Sequence, residues 1–137
     1  GYLFLTLASL CDVLSVKYDL GLRTRAAYQD NDMNNLSKLI ADYDKTIEKM
    51  EIFYSYFQLL WYAENKPHGF DVQDLRIGGL KQRLISCRNR LRDYVNGITE
   101  TIPELEEKLL CYFGNNEDFI KDTPVVVWGN NVTPNVL

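Results

Sequence analysis

Residues that could do chemistry are concentrated in one stretch, Trp61 to Arg83 (WYAENKPHGFDVQDLRIGGLKQR), where Glu64, Lys66, Asp71, Asp74, Arg76 and Arg83 crowd beside Trp61, Phe70 and a Gly78-Gly79 pair. Its three acids could in principle supply the carboxylate pair of a glycosidase, which needs two acids held a fixed distance apart across a sugar cleft. Placed around a turn and near arginines, they equally suit helix caps. A second possibility is a helical enzyme clasping a small dianion with Arg23, Arg25, Arg76 and Arg83, because the guanidinium fork matches carboxylates. Nothing else in the chain supports it. The single histidine, His68, lies in a Pro-Gly turn without a helix or strand to orient it in a triad. Phosphate loops, nucleophile elbows and HExxH zinc patterns are absent. Cys11, Cys87 and Cys111 are odd in number and far apart, fitting neither a disulfide framework nor metal-ligand spacing. Their apolar flanks predict three buried free thiols. No complete catalytic constellation emerges, so the charged stretch reads as a contact surface or a set of caps, with no cofactor and no metal implied.

Composition narrows the class further. A chain of 137 residues with 46% hydrophobic and 25% charged side chains is long enough for one domain with a real core. Its net charge of -4 and pI near 5.0 argue against binding a phosphate backbone, so no nucleic-acid partner is expected. The apolar N-terminal run is interrupted by Asp12 before it reaches membrane-spanning length, and it lacks a basic leading region. It also opens without methionine and already inside a helical pattern, as expected for a piece of a longer chain. A cytoplasmic location and no membrane partner are the corresponding expectations.

The periodicity predicts an all-α, antiparallel bundle of three long helices plus a short fourth. Helix one is expected from Tyr2 to Tyr28, with Leu3, Leu7, Leu10 and Leu14 lining one face and Val13, Val16 and Leu20 a neighbouring stripe. Arg23 falls where an apolar residue was due, close to Gly21, suggesting close packing or a bend there. It is either a snorkelling edge residue or an arginine paired with a carboxylate. Asp32 is a good N-cap for helix two, whose Leu36, Ile40, Tyr43, Ile47, Met50, Tyr54, Phe57 and Trp61 recur at intervals of four and three. Leu39, Phe53 and Leu60 broaden that face enough for two neighbours, and Lys38, Asp42, Lys45 and Lys49 mark a solvated side. Pro67 and Gly69 then turn the chain back, with Asp71 as the expected N-cap and Asp74 as a helix-start acid. Helix three follows Ile77, Leu80, Leu84, Cys87, Leu91, Tyr94 and Ile98. Gly78-Gly79 would admit another backbone closely, and Arg76, Arg83 and Arg90 form a column along one edge. Thr101-Ile102-Pro103-Glu104 has capping-box spacing before a fourth helix ending at Gly114. Residues 1–114 are thus the bundle, and 115–137 a loop and extended, valine-rich tail that packs on the bundle or on another part of a parent protein.

The segments KYDLGLRTRAAYQ, WYAENKPHGFDVQDLRIGGLKQRL and the closing TPNVL resemble the C-terminal helical domain of bacterial glycoside hydrolase family 20 enzymes, the exo-acting β-N-acetylhexosaminidases. The similarity runs from about Leu10 to Leu137. It is most specific at ENKPxGFxxxDxRxGGL, matched by Glu64, Asn65, Lys66, Pro67, Gly69, Phe70, Asp74, Arg76, Gly78, Gly79 and Leu80. The resemblance implies a parent enzyme that removes terminal β-linked N-acetylhexosamine with retention, using the substrate's acetamido oxygen as nucleophile. It also implies an adjacent Asp-Glu catalytic pair on a TIM barrel. This chain has no Asp-Glu dipeptide, only the reversed Glu117-Asp118, so its expected role is architectural. The implied partners are the parent's barrel and a second subunit, with glycan reached only through the parent. Arg23, Arg25, Glu64, Lys66, Asp71, Asp74, Arg76 and Arg83 are the candidate interface residues. The alternative is a free-standing helical module that binds a protein partner.

Overall fold

The computed structural model describes residues 1–108, and among these every regular element is a helix. They are α1 (Tyr2–Lys17), α2 (Leu20–Gln29), α3 (Met33–Glu64), α4 (Phe70–Val95) and a single turn, α5 (Pro103–Glu106). The antiparallel arrangement is legible in the cross-links. Thr6, Asp12 and Arg23 meet Tyr56, Lys49 and Asp42 in descending order. Asp74, Lys81 and Arg88 likewise meet Tyr54, Glu51 and Asp44. The 32-residue α3, about 48 Å long at 1.5 Å per residue, is the shared axis. α1 packs against α3 without touching α4.

One cluster forms the core: Val13, Leu20, Ala27, Tyr28, Leu36, Leu39, Tyr43, Met50, Leu84, Leu91 and Ile102. Burial along α3 stops at Met50, and the continuing ladder of Phe53, Phe57, Leu60 and Trp61 is only half-covered. The bundle is therefore closed at the end carrying α2 and α5 and open at the end carrying the α3–α4 turn. Asp32 caps α3 as expected, its Oδ1 accepting from the Asn35 amide at 3.0 Å.

Several expectations are corrected. The helix expected over Tyr2–Tyr28 breaks at Tyr18-Asp19, not at Gly21, around which an added Cβ would meet nothing within 4 Å. The break frees the Val16 carbonyl, and Arg23 donates to it at 3.2 Å while binding Asp19 at 2.9 Å and Asp42 of α3 at 2.7 Å. Arg23 is thus the staple of the bend. α1 also turns the other way from expectation: Thr6, Ser9, Val13 and Val16 face inward, leaving Leu3, Leu7 and Leu14 exposed. Small hydroxyl residues let the backbones approach, with Thr6 Oγ1 at 3.1 Å from the Tyr56 carbonyl. For the same reason Asp42 and Lys49 are half-buried beneath α1–α2 rather than solvated. Cys11 is exposed and Cys87 half-buried, so burial fails for the first of these thiols; Cys111 lies outside the described residues.

α4 ends at Val95, before the Ile98 assigned to it. Gly97 adopts φ +70°, and the Gly97 and Ile98 amides donate to the Tyr94 and Asp93 carbonyls, a Schellman termination. The capping box at Thr101 does not form, because α5 begins at Pro103 behind Ile102 with no side-chain cap. The helix ends at Glu106 with Glu107 extended. Leu109, Tyr112, Gly114 and the 115–137 tail lie outside the described residues.

Candidate functional site

The α3–α4 connection is locked from both sides. Asn65 leaves the helix in an extended conformation, and the Trp61 indole N–H donates to the Lys66 carbonyl at 3.0 Å. Gly69 sits at φ +99°, a left-handed conformation that a side chain would strain, and its missing Cβ faces the Trp61 ring at 3.5 Å. That turn delivers Phe70 into the only fully enclosed position near this end among the described residues, at 1% exposure. Tyr54, Phe57, Trp61 and Tyr62 surround it with ring centroids 5.2–5.9 Å away, tilted as aromatic quadrupoles prefer. The aromatic ladder of α3 is therefore mainly packing.

The acids of the stretch divide by role. Asp71 is in the first turn rather than at the N-cap, which is Gly69, and its Oδ1 accepts from the Gly69 amide at 3.1 Å. Asp74 Oδ1 accepts from the Tyr54 hydroxyl at 2.5 Å, tying α4 to α3. The bond to Asp74 pushes the Tyr54 hydroxyl up to about 12. An ultraviolet titration of the phenolate should therefore find Tyr54 ionising above its unfolded range near pH 10. Since the folded state holds this proton longer, the stabilisation is complete below pH 10 and is lost as pH rises towards 12. Asp74→Asn should return Tyr54 towards ordinary tyrosine behaviour. An unchanged titration would show that Asp74 does not hold the Tyr54 proton.

Glu64, Lys66 and Arg76 differ from these: their side chains are exposed and make no hydrogen bond or ion pair to other described residues. Around them lie the exposed Leu59, Tyr62 and Leu75, and Gly78 and Gly79 have nothing within 4 Å of an added Cβ. Among the described residues no helix is seated against the two glycines. Arg83, also exposed, approaches the Cys87 sulfur at 4.0 Å. It borders a cavity of about 180 Å³ between α2, α3, α4 and α5, whose floor includes Thr24, Tyr43, Leu91 and Ile102. Burial pushes the Tyr43 hydroxyl up there. The third arginine of the column, Arg90, is bound to Glu104 at 2.7 Å, a bond that holds the Glu104 carboxylate below its ordinary range.

The other two candidate arginines, Arg23 and Arg25, lie elsewhere and are engaged within the domain. Arg23 staples the α1–α2 bend, and Arg25 donates to the carbonyls of Glu104, Leu105 and Glu107 at 2.9–3.1 Å. Neither is left over for a small dianion. Sequence reasoning passed over Tyr28, whose hydroxyl donates to Glu106 Oε1 at 2.6 Å and accepts from the Ile102 amide at 2.9 Å. It lies on the same inward stripe as Leu20, Thr24 and Ala27, the one signal that could have identified it. Among the described residues no cluster of His, Cys, Asp and Glu is arranged to hold a metal ion, and no helix is long and apolar enough to cross a membrane.

No curated protein matches the chain. Residues 1–123 match a family model described as the Glycoside Hydrolase 20C C-terminal domain.

Proposed function

Because the chain belongs to the glycoside hydrolase 20C C-terminal domain family, we propose that it is the non-catalytic helical domain of a β-N-acetylhexosaminidase, docked on the catalytic domain through the α3–α4 end. The parent enzyme in this reading removes terminal β-linked N-acetylhexosamine with retention, the substrate's own acetamido group acting as nucleophile. One observation supports the architectural role most directly. Asp71, Asp74, Arg23 and Arg25 are engaged in a turn, a helix tie, a bend and a segment anchor, while the side chains of Glu64, Lys66 and Arg76, without a partner among the described residues, are exposed beside Leu59, Tyr62 and Leu75. Apolar centres ringed by unpaired charge are the composition of a docking surface. Arg83 extends that surface along α4.

Charge reversal tests the assignment. Arg76→Glu in the intact enzyme should weaken domain association by about 1–3 kcal/mol, lowering thermal stability or activity. The helicity of the isolated chain should not change, because the Arg76 side chain has no partner among the described residues. If the intact enzyme keeps its assembly, stability and activity, the docking surface lies elsewhere. The isolated chain should release no chromophore from an N-acetylglucosaminide, and hydrolysis above trace rates would overturn the non-catalytic reading.

A further inference from the structure

α1 presents its small and hydroxyl-bearing side to α3 and its apolar side outward. Phe4, Leu7, Cys11, Leu14 and Tyr18 follow intervals of three, four, three and four, which align residues along one face of a helix. All five are exposed, Phe4 to 75% and Tyr18 to 76%. We propose that this face is a two-fold seam through which a second copy of the chain packs, α1 against α1 in antiparallel fashion.

Three features select a second copy as the occupant. The line carries no charged residue, so identical faces meet without repulsion; α1's acid and base, Asp12 and Lys17, lie off it, and Asp12 leans towards Lys49 of α3. It is nearly symmetric about Cys11, with Phe4 and Tyr18 seven residues to either side and Leu7 and Leu14 four before and three after. A two-fold axis at Cys11 therefore sets Phe4 against the partner's Tyr18 and Leu7 against the partner's Leu14, the self-matching that an isologous interface demands. The area also suffices. Four large side chains and Cys11 at this exposure, flanked by the exposed Leu3 and Leu22, offer on the order of 600–800 Å² per copy, close to the share each partner gives to a standard interface. The seam residues lie on α1 and its C-cap, and the docking residues on α3, α4 and their connection, so the two surfaces share no residue.

The test uses the intact enzyme. Light scattering should give the mass of two chains, and a short bismaleimide should yield a covalent dimer that Cys11→Ser abolishes. The double variant Leu7→Glu/Leu14→Glu, which opposes carboxylates across the seam, should weaken dimerisation at least about 100-fold at unchanged helicity. A monomeric enzyme at micromolar concentration, a dimer without Cys11-dependent cross-linking, or a dimer indifferent to the double variant would each overturn the seam. So would a monomer in which the double variant opens the junction with the catalytic domain to protease, because that domain would then be the occupant. Should the double variant misfold, the cross-linking of the unaltered seam still decides. Arg76→Glu should leave the dimer mass intact, so the failure of this seam and that of the docking surface are distinguishable.

Discussion

Phe70→Ala is expected to destabilise the domain by about 3–5 kcal/mol, the range for removing a large aromatic from an enclosed site. Four rings converge on Phe70, and three of them, Tyr54, Phe57 and Trp61, are only half-covered themselves. Removing the hub leaves a cavity on a side that the rest of the bundle cannot collapse to fill, because α1 does not reach α4. It also frees the start of α4 from the end of α3. Against total stabilities of about 5–15 kcal/mol, such a loss is a large fraction. Urea denaturation followed by circular dichroism measures it, with Leu75→Ala as the control. Leu75 is half-exposed on the same helix and should change stability by roughly 0.5 kcal/mol or less. If the two variants unfold at the same urea concentration, Phe70 is not the hub of this end.

Tyr28→Phe is expected to cost about 1–3 kcal/mol, and its effect should be local. The change keeps the ring that packs against Tyr94 at 5.0 Å and removes only the hydroxyl. That hydroxyl accepts from the Ile102 amide, and Ile102 is 4% exposed, so the donor would be left buried without an acceptor. The tie to Glu106 is lost with it. Hydrogen exchange should show the Ile102 amide losing protection while amides of α3 near Leu36 and Leu39 keep theirs. Arg25→Ala should loosen the same segment from its other side by releasing three carbonyls. Unchanged protection at Ile102 in Tyr28→Phe would show that the segment is held by something else.

Much of the architecture was readable in the chain. The alternating intervals from Leu36 to Trp61 gave α3, and Pro67-His68-Gly69 gave the reversal into α4. The candidate stretch from Glu64 to Arg83 was legible as a place but not as a set of roles. Capping and contact use the same residue types, so only geometry separated Asp71, engaged at the turn, and Asp74, tied to Tyr54, from Glu64, Lys66 and Arg76, whose side chains have no partner among the described residues. Arg23 shows the limit from another side. Its misplacement in an apolar pattern was visible, yet its partners Asp19 and Asp42 became identifiable only once the helix was seen to break at Tyr18-Asp19.

What the sequence determined alone is the helical class, the long central element and its turn, because these follow from local periodicity and from the backbone restrictions of proline and glycine. Which side of α1 points inward was decided by tertiary structure. Two apolar stripes on one helix are equivalent to any periodicity argument. The choice between them was made across the contact with α3, where Thr6 and Ser9 permit a close approach that leucines would prevent. That choice leaves the leucine stripe facing outward, and with it the surface on which the proposed assembly depends.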